Sequence, residues 1–125
     1  MTVPSPTQQQ VEHWLKRQQA QAELNRSLTS AARAILDKIV SLLVQKYGVR
    51  RIILFGSLAR GQFDADSDID LAVEGLAKSD YFAALSATSD LADRWVDIKP
   101  LEELEEHFKE RVLATGECLY AQDKQ

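Results

Sequence analysis

The sequence predicts an α/β protein of the α+β type: a small mixed β-sheet with flanking helices, preceded by an N-terminal helical extension. Three observations predict it. An apolar run, Ile52 to Phe55, stops abruptly at Gly56-Ser57. Ten residues separate Ser57 from Asp68-Ile69-Asp70-Leu71, where polar and apolar side chains alternate with the period of a strand. On both sides of these stretches, apolar residues recur at three- and four-residue steps, the period of a helix.

Residues 1–7, with Pro4 and Pro6, read as a loose end. From Gln8, Val11, Trp14, Leu15, Gln18 and Ala22 make a narrow helical stripe among good helix formers. Such a stripe needs something to lie against, either its own domain or a partner. A break is expected over Asn25 to Thr29, which divides the chain into a tail and helical extension (1–28) and a domain (29–125). A second helix then runs from about Thr29 to Tyr47, with Ala32, Ile35, Leu36, Ile39, Leu42 and Leu43 inward and Gly48 as its stop.

Val49 to Phe55 reads as the first strand, and its unbroken apolar run predicts burial on both faces. Gly56 to Gly61 makes a turn and a short helical segment. Gln62 to Ser67 is a polar loop, and Ile69 to Val73 is the second strand, paired antiparallel with the first. Ser79 is placed as the N-cap of a helix over Asp80 to Arg94, with Tyr81, Leu85, Leu91 and Trp95 facing the core. Val96-Asp97-Ile98 is a third strand, closed by Pro100. Leu101 to Ala114 forms an acidic last helix with Leu104, Phe108, Val112 and Leu113 inward. Cys118 to Tyr120 forms a short strand or helix extension, and 121–125 fray.

A chain of 125 residues is one domain with room for a real core. No apolar run approaches the roughly 20 residues of a membrane helix, and the polar stretch Met1 to Gln10 predicts no signal peptide. One cysteine, Cys118, makes no internal disulfide, which fits a cytoplasmic protein. It is expected to be packed. Residues 1–50 carry seven basic and three acidic side chains, and residues 51–125 carry eight and sixteen. The acidic portion argues against a broad nucleic-acid-binding face, which needs clustered Lys and Arg.

The chemistry concentrates between residues 55 and 97. Strand alternation sends Asp68 and Asp70 to one face. Two adjacent carboxylates repel unless a cation lies between them, and hard cations such as Mg²⁺ take oxygen ligands and share them with substrate phosphates. The Gly56-Ser57 step lets backbone N–H groups approach an anion. Asp97 stands alone on the polar face of an otherwise apolar strand. If that strand lies beside the second, three carboxylates can hold two metal ions about 3.5–4 Å apart. Arg60 either contacts phosphate or braces the loop on Asp64 or Asp66. No Walker-type Gly-Lys-Ser/Thr follows the turn. His13 and His107, the two histidines, stand outside any Ser-His-Asp arrangement and read as surface residues.

Gly56-Ser57, the ten-residue gap and Asp68-x-Asp70 resemble the signature of the nucleotidyltransferase superfamily related to DNA polymerase β. Gly-Ser-Leu-Ala-Arg-Gly with Ser-Asp-Ile-Asp-Leu resembles its minimal branch, the MNT domains, often antitoxin partners of HEPN-domain toxins. The resemblance implies the nucleotidyltransferase fold over about residues 30–120. It implies that Asp68 and Asp70 bind both metals, that Asp97 serves the attacking hydroxyl, and that Gly56 and Ser57 hold the β- and γ-phosphates. It implies transfer of AMP from ATP, with Mg²⁺, to a tyrosine hydroxyl of a HEPN ribonuclease toxin, in a hetero-oligomer with that toxin. A non-catalytic antitoxin acting by complex formation, and nucleotidyl transfer to a small-molecule hydroxyl, are the alternatives. The role of the N-terminal helix is open.

Overall fold

A computed structural model describes residues 3–122; the rest of the expected fraying tail, 123–125, lies outside the described residues, as does the start of the loose end, 1–2. The chain opens with α1 (Gln8–Tyr47), a single helix of 40 residues, about 60 Å long at 1.5 Å per residue. Thr7 caps it. Its hydroxyl accepts from the Gln10 N–H at 3.1 Å, while the Gln10 side chain accepts from the Thr7 N–H at 2.9 Å. Gly48 ends it at φ 67°, a left-handed conformation that glycine adopts without strain, and donates to the Val44 carbonyl at 3.1 Å.

The break expected at Asn25 to Thr29 is absent. Asn, Ser and Thr cost a few tenths of a kcal/mol each in a helix, whereas Gly and Pro stop one, and neither occurs between Gln8 and Tyr47. Leu28 packs against the core just downstream and anchors the turn that was expected to open.

The remaining elements are β1 (Arg51–Phe55), α2 (Gly56–Ala59), β2 (Ile69–Glu74), α3 (Tyr81–Ala92), β3 (Val96–Pro100), α4 (Glu106–Thr115) and β4 (Glu117–Ala121). The sheet has the order β3-β2-β1-β4. β1 pairs antiparallel with β2 and with β4, and β2 pairs parallel with β3, so the sheet is mixed. Ile52, Ile53 and Leu54 are all buried, because both faces of β1 are covered. One face packs under α1 and α3 through Leu36, Ile39, Leu43, Ile52, Leu54 and Leu71. The other packs under α4 through Ile53, Ala72, Leu101 and Val112.

Several inward-facing residues differ from expectation. Lys78–Asp80 forms a 3₁₀ turn in place of a Ser79 cap, and α3 begins at Tyr81. The buried residues of α3 are Ala84 and Thr88, while Leu91 (40% exposed) and Trp95 (52%) face outward. α3 lies directly against α1, and small residues permit that approach. The Thr88 hydroxyl satisfies itself on the Ala84 carbonyl at 2.8 Å. Leu101–Glu103 is a separate 3₁₀ turn, and Glu105 caps α4 by accepting from the His107 and Phe108 N–H groups. Leu113 turns out to solvent. Cys118 is exposed, not packed, because β4 is an edge strand with a register shift opposite Ile52 and Ile53, which leaves Leu119 and Tyr120 as its half-buried residues.

Candidate active site

β1 ends at Phe55, and the chain turns into the four-residue α2 at Gly56, with φ 77°. β2 begins at the same edge of the sheet. The register aligns Phe55 with Asp70 across β1 and β2, and Asp70 with Asp97 across β2 and β3. Aligned residues share a face, so Asp70 and Asp97 stand side by side on the α4 side of the sheet. Asp68 lies exposed, one residue before β2. The third strand thus lies beside the second, the condition on which the three-carboxylate reading of the sequence depended.

Gly56 lies directly against Asp70. A Cβ placed there would lie 2.1 Å from Asp70 Oδ2. No side chain fits between the turn and the carboxylate, so the position takes glycine for space as well as for its positive φ. Ser57 follows within α2, and the Ser57 carbonyl accepts from Gln62 N–H at 2.9 Å, closing the turn.

The electrostatics mark the site. Burial, then the charges of Asp97 and Asp68, raise the Asp70 pKa from 3.8 to about 6, against the opposing pull of Lys99 and Arg60. The carboxylate edge thus holds more negative charge than it comfortably keeps ionised. Lys99, two residues along β3 on the same face, sits with its Nζ 3.3 Å from Asp97 Oδ2. Among the described residues no three His, Cys, Asp or Glu side chains already converge as a metal-ligand set. The donor chemistry nevertheless fits a hard divalent cation: oxygen donors alone, mutually repelling, on a half-exposed edge.

The Arg60 N–H donates to the Gly56 carbonyl at 3.1 Å, while its guanidinium makes no hydrogen bond or ion pair among the described residues and acts on Asp70 through space. The bracing alternative for Arg60 is not what is seen. Asp64 Oδ1 instead accepts from the Asp66 N–H and the Ser67 hydroxyl, both at 3.0 Å. Arg60 and Arg111 line a cavity of about 160 Å³ with Gly56, Phe55, Phe108 and Thr115. Phe55 and Phe108 meet edge to face at 5.7 Å and wall it from the core.

The brace that sequence reasoning missed is Arg94. Its Nη1 donates to the carbonyls of Asp64 and Ala65 at 3.3 Å and to that of Ser67, and its guanidinium lies 4.6 Å from the centroid of buried Phe63. It holds the loop that delivers Asp68. Nothing local in the sequence marks a helix-terminal arginine for this role. Arg94→Ala is expected to cost about 1–2 kcal/mol from the lost charge-assisted bonds. Thermal unfolding measures that loss, and faster amide exchange at residues 64–68 than elsewhere localises it. Lys99 was also missed, though strand alternation from Asp97 was signal enough to find it.

Residues 37–125 match the family described as polymerase beta, nucleotidyltransferase. Over 95 residues the chain is 37% identical to a candidate protein adenylyltransferase of Methanocaldococcus jannaschii, an alignment covering 68% of this chain and 94% of that protein. Among solved structures, a candidate minimal nucleotidyltransferase is similar with TM-score 0.64 at 32% identity, over 70% of this chain and 92% of the other. A chain of a mutant MntA–HpeT toxin–antitoxin complex is similar with TM-score 0.60 at 26% identity, over 70% of this chain and 72% of the other.

Proposed function

Because the chain belongs to the polymerase β nucleotidyltransferase family and is a nucleotidyltransferase, we propose that it moves AMP from ATP to a tyrosine hydroxyl of a HEPN ribonuclease toxin, with Mg²⁺, and so acts as the toxin's antitoxin. The observation that carries the chemistry is the contact of Asp70 with Gly56. It sets a carboxylate clamp and a small backbone turn against each other, which is what a metal-bound triphosphate requires. The similarity to a candidate protein adenylyltransferase and to a toxin–antitoxin complex supports a protein acceptor.

Each residue then has a task. Asp68, Asp70 and Asp97 hold the divalent cations, two in number by family resemblance, which supply charge neutralisation at the phosphates when bound. The N–H groups of Gly56 and Ser57, with the Ser57 hydroxyl, hold the β- and γ-phosphates. Arg60 and Arg111, on the adjoining cavity, meet the charge that builds on departing pyrophosphate. The acceptor oxygen attacks the α-phosphorus in line, the bond to the β-phosphate oxygen breaks, and the hydroxyl proton passes to Asp97. Lys99 steadies the Asp97 carboxylate between turnovers.

The rival account is neutralisation by complex formation alone. A toxin-rescue assay with Asp68→Asn and Asp70→Asn combined, at wild-type expression, separates the two. Loss of rescue with the complex still formed supports transfer; full rescue sinks it.

A further inference from the structure

Nearly half of α1 lies beyond the domain. The helix ends three residues before β1 begins, and Arg33 donates to the Leu58 carbonyl at 3.3 Å, past the far end of β1. α1 therefore runs back along β1, and its N-terminal part leaves the domain at the carboxylate edge. Residues 8–27 contain no buried side chain. At 1.5 Å per residue they form an arm of about 30 Å.

The arm keeps an apolar side. Val11, Trp14, Leu15 and Ala22 recur at the same three- and four-residue steps as Ala32, Leu36, Ile39 and Leu43, which the domain buries. The stripe thus continues the buried side of α1 outward, past the edge of the sheet. Trp14 (56%) and Leu15 (46%) are left exposed on it. At its inner end the stripe meets a groove of about 800 Å³ between α1 and the loop after α2, lined by Ala22, Arg26, Arg33, Gly61, Gln62 and Phe63. Arg33 is tied to Glu117 at 2.7 Å. The Arg26 guanidinium has no hydrogen bond or ion pair among the described residues.

The geometry points to the arm as the docking strut for the acceptor protein, seated with an apolar patch on Val11, Trp14 and Leu15 and a carboxylate against Arg26. This rests on the protein-acceptor reading above. An acceptor there lies across the edge that carries Gly56, Asp68, Asp70 and Asp97. Among the described residues no other long element extends beyond that edge to hold one. A second copy of this chain is a poorer occupant, because Gln18, Gln21 and Asn25 recur at the heptad spacing where a self-paired helix needs apolar side chains. The family match begins at residue 37, and the Methanocaldococcus jannaschii relative is covered over 94% of its length against 68% of this chain. The arm is thus an addition to the shared domain, free to be matched to one acceptor.

The test compares full-length wild type with Trp14→Ser/Leu15→Ser, with Arg26→Glu, and with Gln9→Ala on the opposite face as a control. Labelled AMP transfer to a purified candidate HEPN partner is followed as its concentration is varied. The first two variants are expected to raise the acceptor KM at least tenfold, with kcat at saturation and ATP affinity unchanged, and the control to match wild type. Wild-type transfer with an unchanged acceptor KM in both variants overturns the docking role alone. No transfer by wild type overturns the docking role and the functional reading together. Concentration-dependent sedimentation of wild type that Trp14→Ser/Leu15→Ser abolishes assigns the stripe to a second copy and also overturns it.

Discussion

Asp70→Asn is expected to abolish nucleotidyl transfer, by at least about a thousandfold, and yet to raise the melting temperature of the metal-free protein at pH 7.5. Both effects come from one carboxylate. In the fold its pKa is raised from 3.8 to about 6, first by burial and then by Asp97 and Asp68. The folded state therefore holds the proton more tightly than the unfolded chain. The stability Asp70 contributes is complete below pH 3.8 and is lost as pH rises through 6. Above that pH the ionised side chain is a cost, at most about 3 kcal/mol. The side chain is half-exposed, and solvent screening reduces this to about 1 kcal/mol. Asn keeps the shape and removes the charge, so a gain of about 4 °C is expected at pH 7.5, shrinking to about half of that at pH 5, where the unfolded chain is already ionised and the folded one is not. Adding Mg²⁺ is expected to stabilise wild type and not the variant. Thermal unfolding at the two pH values, with chelator and with Mg²⁺, checks all three; a variant that melts below wild type in chelator at pH 7.5 contradicts the electrostatic account.

Gly56→Ala carries the second large effect. Its Cβ meets Asp70 Oδ2 at 2.1 Å, and the backbone at φ 77° is unfavourable for any L side chain. The methyl group must push aside either the turn that holds phosphate or the carboxylate that holds metal. A loss of at least about a hundredfold in kcat/KM for ATP is expected, since a displacement of 1 Å costs about that much. Strain of about 1–3 kcal/mol should lower stability as well. Gly61→Ala is the informative comparison. It also has positive φ, 73°, but nothing lies within 4 Å of its added Cβ. Gly61→Ala should lose stability and keep most of the activity. Equal loss of activity in both would mean that backbone strain, not the closeness of Asp70, explains the Gly56 effect.

The centre of the fold was legible because its signals are local. The Ile52–Leu54 run, the Gly56-Ser57 stop and the alternation at Asp68–Leu71 each dictate their own geometry, and the antiparallel pairing of β1 with β2 follows from them. Asp97 was found as a polar residue out of place on an apolar strand. What stayed hidden depends on contacts between distant segments. Ala84 and Thr88 face inward on α3 because α1 lies close, a fact no hydrophobic pattern carries. Arg94 reaches a loop about thirty residues earlier in the chain. The continuity of α1 was misread because Asn25, Ser27 and Thr29, weak helix formers at alternate positions, imitate a stop, while packing at Leu28 and Ala32 decides the matter.

The most direct test is the intact mass of a candidate HEPN partner after incubation with this protein, ATP and Mg²⁺. One or more AMP-sized increments that disappear with Asp68→Asn or Asp97→Asn are the predicted result. An unchanged mass in a partner that still binds would contradict transfer and leave a protein that acts by binding alone.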